Sequence, residues 1–288
     1  MEVPLIRIIT DGGKNYGIGH LRRSSTLSKA LQSRGHLVDL QALSQEGASL
    51  IPALEVKNFR PSLIIIDLPY AIDEFPLTPL PSVPVLSLDQ FGRFCATITI
   101  SLRERDLELK GHRLSGLQYA IIREDLIPYR NSNKGEGLLV MIGGGDINGQ
   151  GWDIAVHFAN LGEFVTLVHG PMSQSQTISH RNIISLKNPT NLPERMASCK
   201  WALTNAGTTM LEMLYLGKPV HILPQTPDEL RFASFVSAHG VLMGIGEKSI
   251  YSPSPDQAQI LQKKSQELID GHGIMRIISE IENLLCPV

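Results

Sequence analysis

The chain is 288 residues long, which at about 150 residues per domain predicts two domains of similar size. Its 26 Lys and Arg against 28 Asp and Glu give a net charge of −2 with neutral His, without any block of five like charges, so a general nucleic-acid surface is excluded. Hydrophobic residues at 42% and charged residues at 19% exclude wholesale disorder, and the longest apolar runs are strand-sized, far short of the ~18 residues of a membrane helix.

The opening residues, MEVPLIRIITDGG, lack the apolar stretch and small-residue cleavage site of a secretory leader, so a cytoplasmic protein without membrane insertion is expected. Cys95, Cys199 and Cys286 are an odd count with no paired-ligand spacing, which indicates neither a disulfide framework nor a zinc site.

Residues 4 to 10 read as a strand ending at Asp11-Gly12-Gly13, followed by a Gly-containing loop and a helix from Gly19 to Arg34. That helix carries Leu27, Ala30 and Leu31 on one stripe and closes at Gly35, before LVDLQAL begins a second strand. Further strand-sized runs follow at 63–66, 83–88, 96–100 and 119–122, with FPLTPLPSVP as loop, and together they predict a parallel-sheet domain over 1–131. A polar break from Asn131 to Gly137 precedes LLVMIGGGDINGQG, a second strand running into a Gly-rich turn. Trp152, Ala155, Phe158 and Ala159 then form a helical stripe, FVTLV is a strand, and WALTNAGTTMLEMLYLGKPVHILP reads strand, turn, helix, strand, with its helix closed by Gly217 and Pro219. Ile274, Ile277, Ile278, Ile281, Leu284 and Leu285 recur at spacings of three and four, the pattern of a closing helix with one covered face. The second domain is placed at 137–288, and the fold class is two α/β domains with parallel sheets.

Both domains open with a strand running into a Gly-rich turn at a helix start, where unpaired N–H groups and the helix dipole attract anions, phosphates above all. The common phosphate fingerprints are nevertheless broken. In GIGHLR, Arg22 stands where a dinucleotide site needs Gly or Ala, and GGGDINGQG spaces its glycines one residue too widely. No P-loop, zincin or nucleophile-elbow motif is present.

Two constellations remain. Gly17-Ile18-Gly19-His20, with Arg22 and Arg23, lies at the first strand-helix turn, where an imidazole of ordinary pKa near 6.5 is a candidate general base. The alternatives there are a local hydrogen bond for His20 and a solvated face for the arginines. Ala206-Gly207-Thr208, followed by Glu212 one turn on, would seat a phosphate at the helix start and a ribose on the carboxylate, the pattern of a nucleoside diphosphate site. A capped helix with an exposed Glu is the plainer alternative. After the next strand, Pro224 to Glu229 is a polar loop, or equally a helix start capped by Asp228.

TDGGKNYGIGHLRRSSTLSKAL resembles the opening of the pseudaminic-acid pathway UDP-sugar hydrolases and of related spore-coat polysaccharide glycosyltransferase-like proteins. SLIIIDLPY, VLSLDQ, YAIIRED, LLVMIGGGDING and TNAGTTMLEMLYLGKPVHILP resemble that family's segments in the same order. The family is similar to the GT-B glycosyltransferases, two Rossmann-like domains facing a cleft, including the enzyme that adds N-acetylglucosamine to the lipid-linked peptidoglycan precursor.

The resemblance implies a monomer that cleaves UDP from a 2,4-diacetamido-2,4,6-trideoxy hexose without metal or cofactor, in nonulosonic acid or surface polysaccharide synthesis. It implies that His20 activates water for attack at the anomeric carbon, and that Gly17, Gly19, Arg23 and Tyr70 serve the sugar side. It implies that Gly144, Gly145 and Asp146 lie near the pyrophosphate, Ala206, Gly207 and Thr208 at the phosphates, and Glu212 on the ribose, with Asp228 and Glu229 in the substrate loop. Two departures point to a different sugar or acceptor. Asp67-Leu68-Pro69-Tyr70 replaces the hydrolase's Asp-His-Tyr, and Asp228-Glu229 replaces the family's Asn-Gln, exchanging amides for acceptor-only carboxylates. A glycosyltransferase acting from a UDP-sugar on a polysaccharide acceptor is the alternative, and a UDP-sugar-binding protein without catalysis is a third reading.

Overall fold

The computed structural model describes residues 4–51, 60–77, 81–89, 92–103, 111–132, 135–143, 146, 149–170 and 180–286. Two compact units divide the chain, one formed by Met1–Ile122 with Gly271–Val288 and the other by Arg123–Asp270.

In the first unit the strands are β1 (Leu5–Thr10), β2 (Leu37–Ala42), β3 (Leu63–Asp67), β4 (Val85–Leu88), β5 (Ile98–Ser101) and β6 (His112–Ser115). They form one sheet in the order β2-β1-β3-β4-β5-β6, with every pairing parallel. Between β1 and β2 runs helix α1 (Gly19–Ser33), and a short helix α2 (Gln45–Ser49) follows β2. The apolar stripe read from the sequence is the buried face of α1, where Leu27 and Leu31, with Ala30 beside them, pack in the core of the first sheet. Gly35 ends the helix at φ +89°, donating to Gln32 O at 2.9 Å while His36 N–H reaches Leu31 O at 3.2 Å, the Schellman closure that favours glycine.

The second unit holds β7 (Leu138–Met141), α3 (Gln150–Asn160), β8 (Val165–His169), β9 (Ile183–Lys187), α4 (Leu192–Ser198) and β10 (Trp201–Thr204). It continues with α5 (Thr208–Tyr215), β11 (Val220–Ile222), α6 (Pro227–Ser237), β12 (Gly244–Ile245) and α7 (Pro255–Leu268). Its sheet, again fully parallel, runs β12-β11-β10-β7-β8-β9. Trp201 is fully buried in its core, edge-on to Phe158 at 5.1 Å, and its indole N–H donates to Glu163 at 2.8 Å. Burying a side chain of this size stabilises by roughly 1.5–3 kcal/mol or more, and the satisfied N–H avoids the desolvation cost. α5 closes as the sequence predicts, with Gly217 at φ +73° and bonds from Gly217 N–H to Leu214 O and Lys218 N–H to Met213 O, both 3.0 Å.

Three sequence expectations change. The closing helix, α8 (Gly273–Leu285), buries Ile277, Ile278 and Ile281 against the first sheet, so it belongs to the first unit and not to a domain spanning 137–288. Residues 119–122 are not a strand, since Leu117–Tyr119 is a 3-10 turn, and the edge strand is β6 instead. Its residues, His112, Arg113, Leu114 and Ser115, are only partly covered, so no apolar run marked it. Residues 227–229 form the first turn of α6 rather than a loop, and its cap is Thr226, whose side chain accepts from Glu229 N–H, not Asp228. Among the described residues, no helix is long and apolar enough to cross a membrane.

Parallel order brings together residues that the sequence keeps apart. In the first sheet β1 is flanked by β2 and β3, and in the second β7 is flanked by β8 and β10, so each chain path reverses direction there. At such switch points the loops beyond the strand carboxyl ends diverge and leave a crevice for ligand. β1 and β3 deliver His20 and Asp67 to the first of these points, and β7 and β10 deliver the two Gly-rich turns to the second.

β11 supplies a pH-sensitive element of stability. His221 is 1% exposed, its Nε2 lies 2.7 Å from Gly246 O, and its Nδ1 has no hydrogen-bond partner among the described residues. Burial pushes its pKa below the ordinary 6.5, with the Gly246 bond offsetting part of the effect. The unfolded chain therefore takes up the proton first, and stability present above about pH 6.5 is lost as pH falls through the window beneath it. Chemical denaturation should show lower stability at pH 5.5 than at pH 7.5, and His221→Gln should flatten that difference.

Candidate functional site

α1 begins with Gly19, and its cap residue, Ile18, supplies no side-chain acceptor. Ahead of it, Gly13 and Gly17 exchange backbone bonds of 2.9 and 2.7 Å that tie the loop into a narrow turn, with Gly17 at φ +72°. His20, Arg23 and Ser24 fall at i, i+3 and i+4, and so share one face of the first turns of the helix. That face meets the end of β3. Its residues LIIID are all buried, and the last is a carboxylate with no exposed surface.

Asp67 is satisfied from every side. His20 Nδ1 lies 2.7 Å from Oδ1, Arg23 Nε donates to Oδ1 at 3.0 Å and to Oδ2 at 2.9 Å, and Ser24 Oγ donates to Oδ2 at 2.8 Å. Burial pushes the Asp67 carboxyl upward, but Arg23 and His20 outweigh it and hold it well below the usual carboxylate range. Because an ionised carboxylate only accepts, the short contact fixes the proton of His20 on Nδ1 and leaves Nε2 as the ring's acceptor. Arg23 NH2, 3.2 Å from Nδ1, is then a second donor converging on the same carboxylate. The His20 side chain keeps 25% of its surface exposed.

Arg23, expected on the sugar side, is held within the protein by two carboxylates. Its other arm bonds Asp89, just beyond β4, which sits at φ +51° and accepts Leu102 N–H at 2.8 Å. Burial alone would lower the guanidinium pKa, but the two carboxylates outweigh it and raise it further above its ordinary value. Tyr70 donates its hydroxyl at 3.2 Å to the buried Asp11, and its ring lies 5.4 Å from that of Tyr16, which is 55% exposed. Asp11 in turn accepts from Gly12 N–H and Ser44 Oγ at 2.9 and 2.6 Å. Burial and the Asp11 charge push Tyr70 up to about 12, so its hydroxyl stays protonated.

In the second unit the two Gly-rich turns have different fates. Asp146, at φ +42°, accepts Gln150 N–H at 3.1 Å and Gly151 N–H at 2.9 Å, so its own carboxylate occupies the start of α3. Its negative charge sits where the sequence placed a pyrophosphate. Gly144 and Gly145 lie outside the described residues. Gly143, at φ +48°, packs so closely on Asn205 that an added Cβ would stand 3.0 Å from the amide nitrogen. At α5 the cap residue is Gly207, with no side-chain acceptor, and Thr208 is the first helical residue, so no acidic side chain of the helix itself caps its start. Glu212 is mostly buried and 3.9 Å from Arg123 Nε, an ion pair that accompanies the carboxylate expected on the ribose.

Glu229 faces inward. It accepts Asn205 Nδ2 at 2.6 Å, Gln225 N–H at 2.7 Å, and the Ala206 N–H. Burial pushes its carboxyl above the ordinary range, and those three donors pull it back. The departure from the family's amide at this position is therefore a tie between the β10–α5 turn and the start of α6, whereas Asp228 is exposed and pairs with Arg231 at 3.2 Å. Sequence reading singled out His20 and Arg23 but not the residues that complete their network, Asp67, Asp89 and Ser24. The available signal was an all-apolar strand ending in Asp opposite a His-x-x-Arg-Ser helix face.

No family model matches the chain, and no curated protein matches its sequence. Among solved structures, the fold is similar to MurG of Acinetobacter baumannii, at a TM-score of 0.61 and 12% identity over 97% of this chain and 100% of that one. It is similar to CalG4, the calicheamicin glycosyltransferase, at 0.63 and 12% over 100% of both chains. It is also similar to the Streptomyces sp. SF2575 glycosyltransferase SsfS6, solved with thymidine diphosphate, at 0.56 and 13% over 95% and 99%. With its two six-stranded parallel sheets and C-terminal helix, the chain has the fold of GT-B glycosyltransferases.

Glu229→Ala should strand two backbone N–H groups and the Asn205 amide at once. At 1–3 kcal/mol for each buried group left unsatisfied, the unfolding free energy measured by denaturant should drop by about 3 kcal/mol, and Glu229→Gln, which keeps one acceptor oxygen, should lose less.

Proposed function

We propose that the chain is an inverting glycosyl-transfer enzyme that uses a nucleoside-diphosphate sugar, UDP by the resemblance of its segments. His20 supports this reading most directly, because Asp67 holds its Nδ1–H and leaves Nε2 free to take a proton. In the reaction Nε2 removes the proton of an acceptor hydroxyl, the oxygen forms a bond to the anomeric carbon, and the bond from that carbon to the diphosphate breaks. Asp67 stabilises the imidazolium that forms, as the carboxylate does in a hydrolase triad. One displacement inverts the anomeric configuration. The leaving diphosphate gathers negative charge, which the α5 start, with Gly207 and Thr208, is suited to stabilise through backbone N–H groups and the helix dipole. Glu212 is the carboxylate proposed for the ribose, Tyr70 serves the sugar side, and the α1 start with Gly17 and Gly19 is a second anion-attracting end.

The fold similarity to glycosyltransferases favours a sugar or other hydroxyl acceptor. A hydrolase, with water as acceptor, is the second reading, favoured by the likeness of Gly17-Ile18-Gly19-His20 to the pseudaminic-pathway enzymes. UDP release should be followed from a panel of UDP-amino sugars, including the 2,4-diacetamido-trideoxy sugar, with and without polysaccharide acceptors. Release that depends on an acceptor establishes transfer, and equal release without one establishes hydrolysis. His20→Ala should lower kcat by about 10²–10⁴, and wild-type activity in that variant would remove His20 from the mechanism.

A further inference from the structure

Besides the base and its carboxylate partner, the first unit contains a buried array of charges whose purpose the reaction does not by itself explain. Asp67 on β3 has 0% side-chain exposure, Arg23 on α1 has 12%, and Asp89 after β4 has 15%, and each is held by hydrogen bonds to the next. A lone carboxylate under His20 would suffice to orient the ring. Nothing about orientation requires a guanidinium fork beneath it, or a second carboxylate held at φ +51° beyond the fork. Burying three charges is costly unless they balance.

We propose that Arg23, backed by Asp89, is a positioning residue that sets both the rotamer of Asp67 and the charge balance under His20, and thereby the pH at which the base is unprotonated. The charge count carries the argument. With neutral His20, the array of Asp67, Asp89 and Arg23 sums to −1, and protonating the ring brings it to zero. Without the Arg23 charge the array stands at −2 and holds the imidazolium more strongly. Without the Asp89 charge it stands at zero and holds it less. Among the described residues, the other ionisable groups near this sheet edge include Lys14, Tyr16, Tyr70 and Asp11 in the loops after β1 and β3, Glu46 on α2, Arg103 after β5, and Arg22 on α1 itself. Tyr70 stays protonated across neutral pH, and the Asp11 carboxylate is engaged by Ser44, Gly12 and Tyr70.

This inference rests on the reading of His20 as the base only for its kinetic consequence. The charge balance can be measured without any substrate. Three variants separate the roles. Arg23→Gln removes the charge, Arg23→Lys keeps the charge but loses the planar fork that grips both oxygens of Asp67, and Asp89→Asn removes the outer carboxylate while keeping an oxygen for Leu102 N–H. Asn also tolerates the left-handed backbone at this position.

The measurement is the NMR titration of the His20 Cε1–H, assigned by its loss in His20→Asn, alongside pH profiles of kcat/KM on whichever UDP-sugar turns over. Relative to wild type, Arg23→Gln should move the His20 midpoint and the acidic limb upward by about one pH unit, and Asp89→Asn should move both downward. Arg23→Lys should leave the midpoint within about 0.3 unit while kcat falls and KM changes little. Midpoints that do not move, or that move the same way in Arg23→Gln and Asp89→Asn, would overturn the proposal, because a purely structural role predicts no opposed pair. Circular dichroism identifies a variant that fails to fold, in which case the remaining two decide. Opposed midpoint shifts with no matching change in the kinetic limb would uphold the charge balance and remove His20 as the base, so the two ideas fail separately.

Discussion

A carboxylate with no exposed surface at the end of β3 governs the first unit. A parallel sheet covered on both faces demands apolar strands, and Leu63 to Ile66 meet that demand; Asp67 is tolerated only because α1 presents His20, Arg23 and Ser24 to it together. This constraint fixes the angle at which α1 enters, since a helix rotated by one residue would bring Gly19 or Leu21 to the carboxylate in place of His20. It also fixes the tautomer of the histidine. The chemistry proposed for the chain is thus a consequence of how a buried charge is satisfied.

The second unit solves a related problem with Glu229. Three donors from two different turns converge on one carboxylate, so the β10–α5 turn and the start of α6 are held as one piece. Asp146 does the same for the start of α3, using up the N–H groups of Gln150 and Gly151. Two Gly-rich turns that look alike in composition therefore have different electrostatic character. One carries its own capping anion, and the other begins after Gly207 with no side-chain cap of its own, which is why the diphosphate is proposed at α5.

Much of the architecture was legible without coordinates. Buried strands in a parallel sheet are continuous apolar runs, and helix ends need glycine for their left-handed closure, so β1, β3, β7 and α5 announced themselves through LIRIIT, LIIID, LLVM and Gly217. The edge strand β6 did not, because exposed edge positions accept polar residues such as His112 and Arg113 and leave no period to detect. The helix α8 was read correctly as an amphipathic closing element, yet its stripe of Ile277, Ile278 and Ile281 says only that something apolar covers it.

For the site, sequence by itself determined the residue types and their local spacing: a histidine at a Gly-rich helix start, arginines one turn on, and a small-residue turn ahead of Glu212. Those follow from neighbouring positions along one helix, where i, i+3 and i+4 share a face by geometry alone. Which carboxylate His20 meets, that Arg23 is consumed between Asp67 and Asp89, and that Glu229 points inward were decided only by the tertiary structure. Their partners lie 47, 44, 66 and 24 residues away along the chain. Strand order in a parallel sheet, set by packing of whole βαβ units rather than by any local signal, is what brings them within hydrogen-bonding distance.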